Sequence, residues 1–178
     1  MDWLVIDVVI EGISMVSNYR DQFKSIVSSG GPELLLEKLR EKNAAGMVID
    51  AAAKDHDLEV NRDDARAIIE DFIDALLTIR YSNLSANERE LALVETVGGL
   101  FDLYLMSSLV LARNWERFSE DQKAEYVEEF AVYFTITYVR RMERYGLGPV
   151  ELLNAFNDTH GDVVVRTRVT GTQVGNLR

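Results

Sequence analysis

Apolar positions open the chain in strict alternation. In "WLVIDVVI", residues 3–10, Leu4, Ile6, Val8 and Ile10 fall on one face and Trp3, Val5, Asp7 and Val9 on the other, so both faces are largely apolar. That pattern predicts a strand covered on at least one side. Gly12 ends it, and Ile13, Met15, Val16, Tyr19, Phe23, Ile26 and Val27 then recur at helical spacing as far as the SerSerGlyGly stop at 28–31. Pro32 suits the first turn of a second helix over 33–42, with Leu34, Leu35, Leu36 and Leu39 available for packing. Alanines and mixed charges over 43–60 read as a connector.

The middle of the chain is helical by pattern. Asn61 with Asp64 resembles a cap, and Ala65, Ile68, Ile69, Phe72, Ile73, Leu76, Leu77 and Ile79 form an amphipathic stripe to about Tyr81. Ser85 with Glu88 is a capping box before Leu91, Leu93, Val94 and Val97, and Gly98 with Gly99 is expected to interrupt that helix. Residues 100–115 are apolar on nearly every side. A further box, Ser119 with Gln122, opens a helix striped by Val127, Phe130, Ala131, Phe134, Tyr138 and Met142. Gly146, Gly148 and Pro149 end the helical part. Residues 150–157 then read as a strand, 157–162 as a turn, and "VVVRTRVT", 163–170, as a second strand with Val163, Val165, Thr167 and Val169 on one side. Strands at both ends around a helical middle give an α+β class.

Charge and composition narrow the functions. With 178 residues, 47% hydrophobic, the chain buries one good core, and a single domain over 1–178 is expected. Thirty acidic residues against 19 basic ones give −11, which excludes a nucleic-acid backbone as the main partner. No apolar run reaches the roughly 18 residues that span a bilayer, and the start lacks the pattern of an export signal, so the chain as given is expected to be soluble. There are no cysteines, hence no disulfide, thiolate or Cys-type zinc chemistry.

Catalytic constellations are sparse. His56 falls in the connector and His160 in a turn, spacings that suit neither a metal nor acid/base work, and the glycine pairs lack the lysine of a phosphate loop. Neither metal nor cofactor is expected. Asp7 and Glu11 are the one carboxylate pair of interest, since a carboxylate facing a cavity moves protons in small cone-shaped α+β isomerases and dehydratases. Asp7 lies opposite Ile6 and Val8, which favours a structural hydrogen bond or a surface position.

Two blocks resemble a known family. "FDLYLMSSLVLARNWERFSEDQKAEYVEEFAVYFTITY", 101–138, followed by "GDVVVRTRV", is similar to the first part of the MlaC-type periplasmic phospholipid-binding proteins, the toluene-tolerance family. "WLVIDVVIEGISMVSNYRDQF" with "LLEKLREKN" is similar to the last part of that family. Thus 1–42 resembles the family's C-terminal part and 61–178 its N-terminal part, in inverted order. Circular permutation is the favoured account; a cut across two head-to-tail copies, or fragments pairing between chains, are the others. A strand of the family is expected after Val174 to Arg178 and is absent, which predicts an altered sheet or a strand-exchanged homodimer.

The resemblance implies an antiparallel, NTF2-like curved sheet packed against a helical subdomain, enclosing an apolar pocket for phospholipid tails. Two tails carry on the order of 30 methylenes at about 0.8 kcal/mol each, so they require a lined cavity during transit. The walls assigned on that basis are Ile6, Val8, Ile10, Met15, Leu105, Met106, Leu109, Phe130, Tyr133, Phe134, Tyr138, Val163, Val165 and Val169. Arg140, Arg141, Arg144, Arg166 and Arg168 supply positive charge for a headgroup at the mouth, or simply a solvated surface. By resemblance the protein is a non-enzymatic periplasmic carrier with phospholipid as cargo. Its partners would be an inner-membrane MCE-protein/ABC-transporter complex and an outer-membrane lipoprotein complex, and its task the maintenance of outer-membrane lipid asymmetry. The alternatives are the carboxylate cavity enzyme and an interaction domain whose pocket its own side chains fill.

Overall fold

The computed structural model describes residues 4–10, 12–43, 62–145, 149–159 and 162–169. Its elements run β1 (Val9–Ile10), β2 (Ile13–Ser14), α1 (Met15–Lys42), α2 (Arg62–Tyr81), α3 (Ala86–Leu100), α4 (Leu103–Leu111), a 3₁₀ segment (Ala112–Arg117), α5 (Glu120–Tyr145), β3 (Val150–Asn157) and β4 (Val163–Val169). The class is α+β, mostly helical, with two small antiparallel sheets, β1–β2 and β3–β4. Two compact units divide the chain: Leu4–Asp55 with Gly98–Ile136, and Met1–Trp3 with His56–Val97 and Thr137–Arg178.

The first unit has an aromatic core. Met15, Val16, Tyr19, Phe23 and Val27 bury one face of α1, and Tyr126, Phe130 and Phe134 bury the matching stripe of α5. Their rings meet edge to face or tilted: Tyr19–Phe130 at 6.0 Å, Tyr126–Phe130 at 5.8 Å and Phe101–Phe134 at 5.0 Å between centroids. α1 bends where the SerSerGlyGly-Pro stretch predicts a stop. Gly31 sits at φ 74°, ψ −169°, conformational space open in practice only to glycine, and Pro32 starts the second limb. Leu35, Leu36 and Leu39 bury that limb, while Gln122 donates to Glu33 at 2.7 Å, Arg40 pairs with Glu125, and Asn43 donates to the Glu129 carbonyl at 2.8 Å.

Arg20 reaches from α1 to α4, where Nε and Nη2 donate to the Leu109 carbonyl at 3.0 and 2.8 Å. A guanidinium on the last carbonyls of a helix satisfies acceptors that the helix cannot. The following residue pair of turns is tight: Ala112 takes φ 47°, ψ −126°, the one positive φ among the described non-glycine residues.

In the second unit α2 packs on the β3–β4 hairpin. Val150 pairs with Val169, Leu152 with Thr167, Ala155 with Val165 and Asn157 with Val163, and a register shift between Leu152 and Asn154 leaves Leu153 as a bulge. Ala65, Ile73 and Leu76 of α2 are buried with Leu93, Val94, Val97 and Val139, yet no described side chain of the hairpin is fully buried.

Both capping boxes form. Ser85 N donates to Glu88 at 2.9 Å and Ser119 N to Gln122 at 3.0 Å, with the reciprocal bonds from Glu88 N and Gln122 N to the serine hydroxyls at 3.4 and 3.3 Å. Two expectations are corrected. The opening stretch, expected as a strand over 3–10, is not one continuous strand over its described residues 4–10: among them Val9–Ile10 pairs with Ile13–Ser14, and Val5 makes an isolated bridge with Phe101, its N–H donating to the Leu100 carbonyl at 2.9 Å. An extended segment lying beside helix ends has the same alternation as a strand, so periodicity alone does not separate them. Nor do Gly98 and Gly99 break α3, which continues to Leu100; burial of Gly98 outweighs its weak propensity, and the break follows at Asp102, whose carboxylate caps α4 by accepting from Leu105 N at 2.8 Å. Trp3, Glu11, residues 44–60 of the 43–60 connector with His56, Asn61, Gly146, Gly148, His160 and the tail after Val169 lie outside the described residues.

Candidate functional site

The proposed wall residues fall in both units. Ile6, Val8, Ile10, Met15, Leu105, Met106, Leu109, Phe130, Tyr133 and Phe134 belong to the helical unit; Tyr138, Val163, Val165 and Val169 belong to the α2–hairpin unit. Met15, Met106, Phe130 and Phe134 are inside the packed core, at 2% exposure or less. Ile6, Val8, Ile10, Leu105, Leu109, Tyr133, Tyr138, Val163 and Val165 are half-buried, and Val169 ends β4 opposite Val150. Half-burial is the more useful state for cargo contact, because such side chains retain apolar surface that a ligand removes from water.

The α2–hairpin unit concentrates that surface. Ile68, Ile69, Phe72, Leu77 and Ile79 of α2 and Val150, Leu152, Phe156, Val163, Val164 and Val165 of the hairpin are all half-buried. Among the basic residues named for a headgroup, Arg166 stacks on the Phe156 ring at 4.8 Å and Arg168 pairs with Glu151 at 3.4 Å, so both serve the hairpin face. Tyr138 is half-buried, and loss of hydration pushes its phenol up to about 12.

One recess lies wholly within the helical unit. Gln22, Phe23 and Ile26 from the first limb of α1, Leu35, Lys38, Leu39 and Lys42 from the second, and Tyr133 from α5 enclose about 30 Å³. It exists because the bend at Gly31 opens an angle between the limbs. Of the wall residues assigned from sequence, Tyr133 lines it.

Asp7 has a structural task. Its Oδ1 accepts from Val8 N at 2.8 Å and Val16 N at 3.0 Å, and its Oδ2 accepts from the Ser14 hydroxyl at 2.5 Å. Ser14 in turn caps α1, its hydroxyl accepting from Ser17 N at 3.0 Å. The carboxylate thus ties the β1–β2 turn to the start of α1, a linkage that its position on the far face from Ile6 and Val8 foreshadows.

Against models of known protein families, the MlaC protein family matches residues 1–41 and 66–177. The chain belongs to the MlaC family. Neither a curated protein nor a solved structure matches it. The MlaC family comprises periplasmic phospholipid-binding transport proteins, carriers and not enzymes. For this MlaC family member, no helix among the described residues is long and apolar enough to cross a membrane, and no described cluster of His, Asp and Glu has the make-up of a metal site.

Proposed function

We propose that this protein encloses phospholipid acyl chains and shuttles them across the periplasm, between an inner-membrane MCE-protein/ABC-transporter complex and an outer-membrane lipoprotein complex, maintaining outer-membrane lipid asymmetry. The observation that carries the proposal is the family match over 1–41 and 66–177. The half-buried apolar layer of α2 and the β3–β4 hairpin supports it, since a carrier needs apolar wall that its own side chains leave uncovered. Engagement of both Asp7 oxygens by backbone and Ser14 supports a non-enzymatic role over proton transfer at that carboxylate.

The order of the blocks is part of the proposal. Residues 1–42 resemble the family's last part and 61–178 its first part, so a circular permutation joined through the 43–60 connector accounts for both blocks in one chain. Wall residues are best sought where apolar surface remains open: Leu109→Trp and Val165→Trp should each lower phospholipid occupancy at unchanged circular dichroism. Undiminished occupancy in both variants would remove these side chains from the wall. Transfer of a fluorescent phospholipid between two vesicle populations should accelerate with protein concentration; no acceleration would sink the shuttle.

A further inference from the structure

The recess between the limbs of α1 has a composition unlike the rest of this acidic chain. Eight residues line it, none acidic and two of them lysines, in a protein of net charge −11. Its floor is hydrocarbon, from Phe23, Ile26, Leu35 and Leu39. Lys38 and Lys42 stand one helical turn apart on the same limb, where like charges repel. Elsewhere Arg40, Arg66, Lys123 and Arg168 pair with Glu125, Glu70, Glu120 and Glu151. Lys38 and Lys42 have no ion pair among the described residues; the Lys42 ammonium lies 5.2 Å over the Tyr133 ring. Two uncompensated ammonium groups at the rim of an apolar hollow are complementary to an anion carried on a hydrocarbon stem.

We infer that the rim of this recess seats the phosphate of a lipid headgroup, with Lys38 and Lys42 holding the phosphate oxygens and the carbon beside them entering between Phe23, Ile26, Leu35 and Leu39. The volume of about 30 Å³ has room for one small group and not for a tail, so the recess itself takes the first carbon of the stem and the phosphate stays at its rim. Gly31 is the positioning residue, because the limb angle that separates Phe23 and Ile26 from Leu35 and Leu39 depends on its φ of 74°. That the phosphate is a lipid's rests on the carrier reading above; the alkyl-phosphate chemistry rests on the recess alone.

Calorimetric titration of the full chain at low salt with n-hexyl phosphate, too short to fill a two-tailed cavity, and with inorganic phosphate separates the sources. Hexyl phosphate should bind more tightly than inorganic phosphate by about fourfold, the gain from one buried methylene, and K38Q/K42Q should weaken it at least about tenfold. Equal affinity for the two anions, no binding of either, or an unchanged affinity in the double variant overturns the proposal. Both lysines are exposed, so the variant should keep its fold, and its circular dichroism verifies that. Phospholipid copurifying with wild type and K38Q/K42Q tests the carrier reading separately: its absence from both defeats that reading, while the hexyl phosphate titration still decides the recess.

Discussion

Asp7 holds the start of the helical unit with one side chain. Replacing it with alanine leaves Val8 N and Val16 N without their acceptor and frees the Ser14 hydroxyl, so Asp7→Ala should cost about 2 kcal/mol in urea unfolding. Asp7→Asn, which keeps a carbonyl acceptor, should cost less; equal losses would mean that charge alone matters. Tyr126 shows the opposite case. Its ring is fully buried among Phe23, Phe118 and Phe130, but its hydroxyl finds no partner among the described residues. Tyr126→Phe removes a desolvated polar group and should leave stability unchanged or raise it by about 1 kcal/mol. A fall in the urea midpoint would show that the hydroxyl is bonded in solution. Burial also raises the Tyr126 phenol well above its ordinary value and that of Tyr138 to about 12. The unfolded chain gives up these protons first, from about pH 10, so their contribution is intact below pH 10 and is lost as pH rises through 12. The double Tyr→Phe variant should show a flatter decline of stability between those values, and an unchanged slope would contradict the burial.

At the scale of elements, glycines at two places act differently. Gly31 has φ 74° and ψ −169°, which a Cβ makes strained, so Gly31→Ala should destabilise by about 1–3 kcal/mol. Gly99 lies in α3 with no atom within 4 Å of an added Cβ, and Gly99→Ala should stabilise by about 0.5–1 kcal/mol. Chemical denaturation of the two variants gives opposite signs if both conformations are right. These elements also show what is legible in sequence. Capping boxes at Ser85–Glu88 and Ser119–Gln122, the bend at Gly31–Pro32 and the β3–β4 hairpin are readable because each depends on contacts within a few residues. The opening stretch is not, because Val5 takes its partners from Leu100 and Asp102, nearly a hundred positions away. Asp102 and Ser14 as caps carry a readable signal, an acid or serine directly before an apolar helix, but the apolar residues around them mask it.

On the scale of the molecule, the family is legible and the site only partly so. Ordered apolar blocks identify a phospholipid-binding family over most of the chain, since that likeness is spread across many positions. Which apolar residues close the core and which remain half-open is a matter of packing. Phe130 and Phe134 share a stripe with Tyr138, but the first two are sealed and the third is not. Periodicity assigns all three alike. Lys38 and Lys42 escape notice for a similar reason: their apolar neighbours Phe23 and Ile26 come from across the bend, and no spacing rule gives its angle.

Native mass spectrometry of the full chain, purified gently without detergent, is the most direct test of the central claim that this protein carries phospholipid. The account predicts a bound mass that organic extraction releases as phospholipid. A single species at the bare polypeptide mass, with no lipid in the extract, would contradict it.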